Sequence, residues 1–423
     1  MQLKKDFRLG CASAATQVEG GKIDHSWAEW AKIKGHIADE TTPERADDHY
    51  VRWRQDALLM KDLGLEICRM GIEWARIEPE EGVYDGEAIR HYVDEVKLLI
   101  SYGIKPLVTL HHFTNPMWFE RKGAFTKTEN IPNFVCFVEK MVKAFGNLAD
   151  EYITINEPNV YATNGYFFGS WPPGEKSFFK ITKVMSVMVL AHIRAYEKIH
   201  ALQPNAKVSF ANHVRVFAPE NPKKISHRIY AKLTERFFQG ALTKAMCLGE
   251  FSFPIRNLGH SKKGKYCDYI AINYYTRSTV SGLKDGVRKA APINDLGWEI
   301  YPNGLVECAR QLYDLCPMPI YITENGTCDN KDAFRSRYIY EHLKAITESD
   351  LPIERYYHWC FTDNFEWAEG ESARFGIVHV NYETQERTVK KSGYFFKKLI
   401  AAHGVDEAMF EEYIANERYT EGK

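Results

Sequence analysis

The chain has almost no net charge: over 423 residues, 55 lysines and arginines stand against 56 aspartates and glutamates. That leaves no global field to attract nucleic acid or an anionic membrane, so a neutral or weakly charged small molecule is the expected partner. Long apolar runs are missing near the start. The N-terminal "MQLKKDFRLGCASAATQVEGG" has a short apolar part interrupted by Arg8 and Gln17, unlike a signal-peptide core or a spanning segment. The nine cysteines are odd in number and irregular in spacing, which fits neither a disulfide framework nor a zinc pattern. Most lie in apolar runs, as small buried side chains do in a reducing compartment, and a cytoplasmic protein is expected. Also absent are a linker-like low-complexity tract, a GxGxxG after the first strand and a GxxxxGK[ST] anywhere.

What is present is ample core material, 45% hydrophobic and 13% aromatic, and residues 1–423 read as one domain. Short runs rich in Val, Ile and Tyr alternate with longer stretches of helical spacing. The expected strands are 7–15, 65–70, 105–112, 151–158, 206–213, 266–275, 319–326 and 354–361. Between them, "WRQDALLMKDLG" and "AIRHYVDEVKLLISYG" read as helices stopped by Gly64 and Gly103. Eight apolar strands with crossover helices predict a parallel sheet closed into a (β/α)8 TIM barrel. The segment 214–260, short and basic, is the hardest to divide into elements.

In such a barrel the chemistry sits at the C-terminal ends of the strands. Those ends carry Gln17 and Glu19, Arg69, His111 and His112, Asn156 and Glu157, Asn273 to Tyr275, Glu324 and Asn325, and Trp359. The adjacent histidines point to opposite sides of their strand and lack a third ligand at suitable spacing, so no metal and no cofactor are expected. Glu157 and Glu324, each ending an apolar run, suit a pair of carboxyl groups working on a sugar acetal with retention, which requires them about 5 Å apart. Arg69 and Tyr275 are expected to lower the pKa of Glu324 and keep it ionised. Glu157, beside the neutral amide of Asn156, is expected to carry the proton. Trp359, Glu366 and Trp367 supply stacking surface and hydroxyl partners on the last loop.

These segments resemble glycoside hydrolase family 1, the β-glucosidase family of (β/α)8 barrels. "TINEP" and "ITENG" are similar to its acid/base and nucleophile motifs, and "GCASAATQVEG", "CRMGIEWARIEPEEG", "VTLHHFTNP", "AINYYTRS", "GWEIYPNGL" and "DNFEWAEG" followed by "RFGIVHV" extend the likeness over nearly the whole chain. The resemblance implies that Glu157 is the acid/base and Glu324 the nucleophile. It implies that Gln17, His112, Asn156, Glu366 and Trp367 hold the non-reducing sugar, Asn156 at its 2-hydroxyl, with Trp359 as a stacking platform. Arg69, Asn273 and Tyr275 resemble the groups that orient and tune the nucleophile, and Trp298 resembles a tryptophan at the aglycone entrance.

The chain departs from the family at His112-Phe113, where His-Trp is usual, and at Gly370-Glu371, where Gly-Tyr is usual. The expected activity is that of a retaining exo-acting β-glycosidase, foremost a β-glucosidase acting on a small β-glycoside or oligosaccharide. A 6-phospho-β-glucosidase is the alternative within the family, although Glu366 stands where such enzymes carry Ser and would repel phosphate. An inactive carbohydrate-binding barrel and a transglycosylase are the other readings.

Overall fold

Eight parallel strands close on themselves in a computed structural model that describes residues 1–282 and 285–422. Of the expected 1–423 domain, Leu283, Lys284 and Lys423 lie outside the described residues. The strands are β1 (Arg8–Ala12), β2 (Ile67–Gly71), β3 (Lys105–Thr109), β4 (Glu151–Asn156), β5 (Lys207–Pro219), β6 (Ile270–Val280), β7 (Ile320–Asn325) and β8 (Ile353–Trp359). Each pairs with the next, and β8 returns to β1 through the register Arg8 with Arg355 to Ala12 with Trp359. Every residue of β2, β4, β6 and β7 is buried, as expected for a sheet covered by helices outside and packed side chains inside.

The principal helices cover the barrel in chain order: α1 (His49–Asp62), α2 (Gly86–Ser101), α3 (Ile131–Phe145), α4 (Phe178–Leu202), α5 (Ile225–Glu235), α6 (Ala241–Leu248), α7 (Pro302–Leu315), α8 (Arg335–Thr347) and α9 (Lys391–Ala402). Gly64 and Gly103 adopt φ values of 75° and 80° just beyond α1 and α2, the left-handed stop that glycine permits. Asp85 starts α2 by accepting the backbone N–H groups of Glu87 and Ala88. No helix among the described residues is long and apolar enough to cross a membrane.

Several strand boundaries differ from expectation, those of β1, β5 and β6 among them. β1 stops at Ala12 rather than 15, because Ala15–Val18 turns into a short helix that carries Gln17 inward. β6 begins at Ile270, not 266, since Asp268 instead accepts from the Val208 backbone and the Tyr196 hydroxyl. β5 and β6 then run past the rim together, paired from Val216 with Arg277 to Pro219 with Val280. The basic 214–260 segment is therefore a strand extension followed by α5, a π-helical turn at Arg236–Gly240, and α6.

Candidate active site

The strand ends bring both glutamates to one rim by different local means. Glu157 follows β4 in a left-handed conformation (φ 44°) and leads into the helix Pro158–Thr163, where proline at the first position loses no useful N–H. A non-glycine residue held there is strained, as is common where a side chain must be aimed. Glu324 lies within β7, and Gly326 just after it has no room for a side chain: a Cβ would stand 1.8 Å from the Trp359 carbonyl oxygen. That close approach explains the glycine of "ENG".

One hydrogen-bond chain links the two carboxyl groups. Fully buried Arg69 pairs through Nη1 with Glu324, and Tyr275 donates its hydroxyl to the other Glu324 oxygen at 2.5 Å. The second Arg69 terminus donates to Asn156 Oδ1 at 2.7 Å, and Asn273 Nδ2 donates to the same oxygen at 2.9 Å and to Glu157 Oε1 at 2.8 Å. Asn273 was expected to tune the nucleophile. Instead its amide turns across the barrel to Glu157, although its backbone pairs in register with Glu324.

The charge balance at Glu324 also differs from expectation. Arg69 and Tyr275 do favour its anion, but burial and the neighbouring Glu157 outweigh them and push the carboxyl up to about 7. Glu366 is pushed further, to about 8, by burial and by Glu324. Three acids thus crowd one site, with the Arg69 guanidinium among them.

Around Glu366 the structure gathers several of the polar and aromatic side chains singled out in the sequence. Gln17 Nε2 donates to Asn364 Oδ1, to the Phe365 carbonyl and to Glu366 Oε2 at 3.0, 2.9 and 3.2 Å. His112 Nε2 lies 3.0 Å from Asn156 Nδ2. Two donors already fix the Asn156 oxygen, so its nitrogen faces His112, Nε2 accepts, and the imidazole carries its proton on Nδ1. Burial and Arg69 keep that ring neutral by holding its pKa well below the usual value. His112 stacks on Trp359 and on Trp367, with ring centroids 5.9 and 5.8 Å apart. Gln17 Oε1 and His112 Nδ1 are buried without a partner among the described residues. His111 points away to Asn115, and Glu19 is engaged by Arg76 and Tyr92, so neither joins the site.

Residues 1–405 match Glycosyl hydrolase family 1. The chain belongs to that family. It is 31% identical to Beta-glucosidase A of Acetivibrio thermocellus, with 95% of this chain and 98% of that protein aligned. Among solved structures, a beta-glycosidase from Pyrococcus horikoshii superposes with a TM-score of 0.88 at 30% identity, covering 97% of this chain and 98% of that one. The Thermotoga maritima beta-glucosidase in complex with castanospermine gives 0.89 at 27% identity, covering 96% and 100%.

Within this family 1 barrel several site residues were not anticipated. His213, at the rim on β5, places Nδ1 3.4 Å from Glu157 Oε1, and Arg215 Nη2 lies 3.0 Å from its Nε2. A guanidinium only donates, so His213 Nε2 accepts and its Nδ1–H faces Glu157. The signal was available, since "AKVSFANH" ends a strand on a histidine. Trp171, from the loop after β4, packs 5.0 Å from Phe113 and 5.9 Å from Trp367, bringing an indole beside the position where the family's usual tryptophan is replaced by Phe113. On the other side Trp298 meets the Tyr275 ring edge-on at 5.9 Å. There His213, Arg215, Tyr275, Arg277 and Trp298 line a cavity of about 270 Å³. Among the described residues no group of three His, Cys, Asp or Glu side chains is arranged to hold a metal.

Proposed function

We propose that this family 1 enzyme is a retaining, exo-acting β-glycosidase, foremost a β-glucosidase with tolerance for β-galactosides or β-fucosides. The observation that carries the reading is the asymmetry of the linked carboxyl pair: Glu324 faces a cation and a phenol, whereas Glu157 faces the amide of Asn273 and the Nδ1–H of His213. Glu324, ionised beside Arg69, attacks the anomeric carbon while Glu157 gives its proton to the departing glycosidic oxygen. The glycosyl ester that forms removes the charge on Glu324. Glu157, now a carboxylate, takes a proton from water as the water attacks the same carbon from the leaving-group side, and Glu324 departs. The two inversions leave a β-configured sugar.

Gln17, Glu366 and the second N–H of Asn156 suit the sugar hydroxyls, with the unpartnered Gln17 Oε1 and His112 Nδ1–H as further positions. Trp359 and Trp367 suit its apolar face. The packing of Trp27 against Trp367, 4.8 Å apart, supports a closed glycone end and hence removal of terminal sugars. Trp298 and its cavity suit the aglycone. Nine free cysteines, eight of them buried, support a cytoplasmic location. A panel of nitrophenyl glycosides tests the reading, with the first-formed anomer followed by NMR. The β-glucoside is expected among the best substrates, with β-glucose appearing first. Inertness towards the whole panel, or initial release of the α-anomer, would overturn it.

A further inference from the structure

Helix α5 is amphipathic in the wrong sense for a helix packed on a barrel. Only His227 and Ala231 of its residues are buried. At 100° per residue, Ile225, Ile229 and Leu233 fall on the opposite face, aimed away from the protein. They are 71%, 52% and 56% exposed. The stripe continues into the next turn, where the half-buried Phe237 stacks on Phe178 of α4 with centroids 5.6 Å apart, next to Phe179 at 84% exposure. From Ile225 to Phe237 this is an outward apolar ridge of about 18 Å at helical rise.

One edge of it is basic: on the same spacing Arg228 and Lys232 lie beside the stripe and Arg236 falls on it, while Ser226, Tyr230 and Thr234 form the other edge. Lys223, Lys224, Arg228, Lys232 and Arg236 are exposed and make no ion pair among the described residues, while Glu235 is the one acid between 221 and 240. The near-neutral total thus conceals a local concentration of positive charge beside an exposed hydrophobic stripe. The ridge also adjoins the site. Phe238, in the turn that ends α5, meets the His213 ring edge-on at 5.9 Å, and Gln239 Oε1 accepts the Arg215 backbone N–H at 3.1 Å.

We propose that the α5 ridge docks on the surface of an anionic lipid bilayer and presents the aglycone side of the site to β-glycosides whose aglycone is a lipid; the substrate half of this rests on the glycosidase reading above. A helix with apolar residues on one stripe and Lys and Arg beside it lies in a bilayer interface, with the apolar side chains among the acyl chains and the cations against headgroup charge. A second copy of the chain fits less well, because a two-fold contact through this stripe would bring the two basic edges together. A neutral apolar partner would leave the cations without purpose.

Co-sedimentation of the full chain with phosphatidylcholine vesicles, with and without phosphatidylserine, tests the docking. Binding is expected only with phosphatidylserine and should weaken as salt is raised. Arg228→Glu with Lys232→Glu should weaken it by at least about thirtyfold, from roughly 1 kcal/mol for each cation at the surface. Ile229→Asp with Leu233→Asp should abolish it. Both variants change exposed side chains, and nitrophenyl β-glucoside turnover should equal that of the unaltered enzyme, which shows that they fold. Hydrolysis of an alkyl β-glucoside embedded in the same vesicles should fall in both. Equal vesicle binding by all three proteins would overturn the docking, as would a dimer in light scattering that the Asp variant dissociates while vesicles capture nothing. Failure of the unaltered enzyme on the soluble glucoside would overturn the glycosidase reading and the lipid-glycoside half; vesicle binding is scored without turnover.

Discussion

Asn273 donates its amide to Glu157 at 2.8 Å, although in the sheet its backbone partner is Glu324. On the proposed mechanism, in which Glu157 gives the proton, the residue serves the proton donor. Asn273→Ala should lower turnover of alkyl glucosides, which need the proton, at least about tenfold, since general acid assistance is commonly worth more than that. Dinitrophenyl glucoside, whose leaving group needs no proton, should lose much less. Equal losses on both substrates would instead assign Asn273 to the nucleophile.

On the proposed mechanism, Glu324 is the residue on which the covalent ester forms. Glu324→Ala should reduce turnover by several orders of magnitude, with circular dichroism reporting the fold because the change also leaves buried Arg69 without its carboxylate. Added azide should restore part of the rate by attacking from the vacated side, giving the α-glycosyl azide from a β-glycoside. A β-azide would mean that the two glutamates have been assigned the wrong way round.

The barrel and both glutamates were legible because they rest on local signals: apolar runs, glycine stops and a charged residue ending each of two strands. The direction of Asn273 was not, since register fixes which backbones meet while the side chain chooses between neighbours on either side. The raised pKa of Glu324 was hidden for a different reason: a sequence shows that Arg69 and Tyr275 are at hand, but not how deeply the site is buried, and burial is the largest effect there. His213 was passed over because a histidine has more bland roles than a glutamate, and Arg215, which orients it, lies just beyond the rim. The outward face of α5 was unreadable in principle, because a 3.6-residue apolar period looks the same whichever side faces the core.

Tyr275 predicts a displaced pH profile. Its hydroxyl donates to Glu324 and favours the carboxylate. Tyr275→Phe removes that donor and keeps the ring. The acid limb of kcat/KM for dinitrophenyl β-glucoside, which reports ionisation of the free enzyme, should then move to higher pH. An unmoved limb would mean that the hydroxyl does not hold the Glu324 carboxylate.

Glu366 makes the site a liability to the fold at alkaline pH. Its carboxyl is raised from near 4.5 to about 8, so the folded protein holds this proton more tightly than the unfolded chain does. The stabilisation from that proton is complete below the unfolded value near 4.5. It is lost as pH rises towards 8, because the unfolded state then gains from ionising a group that the folded state keeps neutral. Gln at this position cannot ionise and can still accept from Gln17. Glu366→Gln should therefore match the unaltered enzyme in thermal stability at pH 4.5 and exceed it at pH 8 by a few kcal/mol, a gain of several degrees in Tm. Its affinity for sugars should fall, since an amide binds hydroxyls more weakly than a carboxylate. Calorimetry at the two pH values decides the matter: a stability difference that does not change with pH would mean that folding does not raise the Glu366 carboxyl.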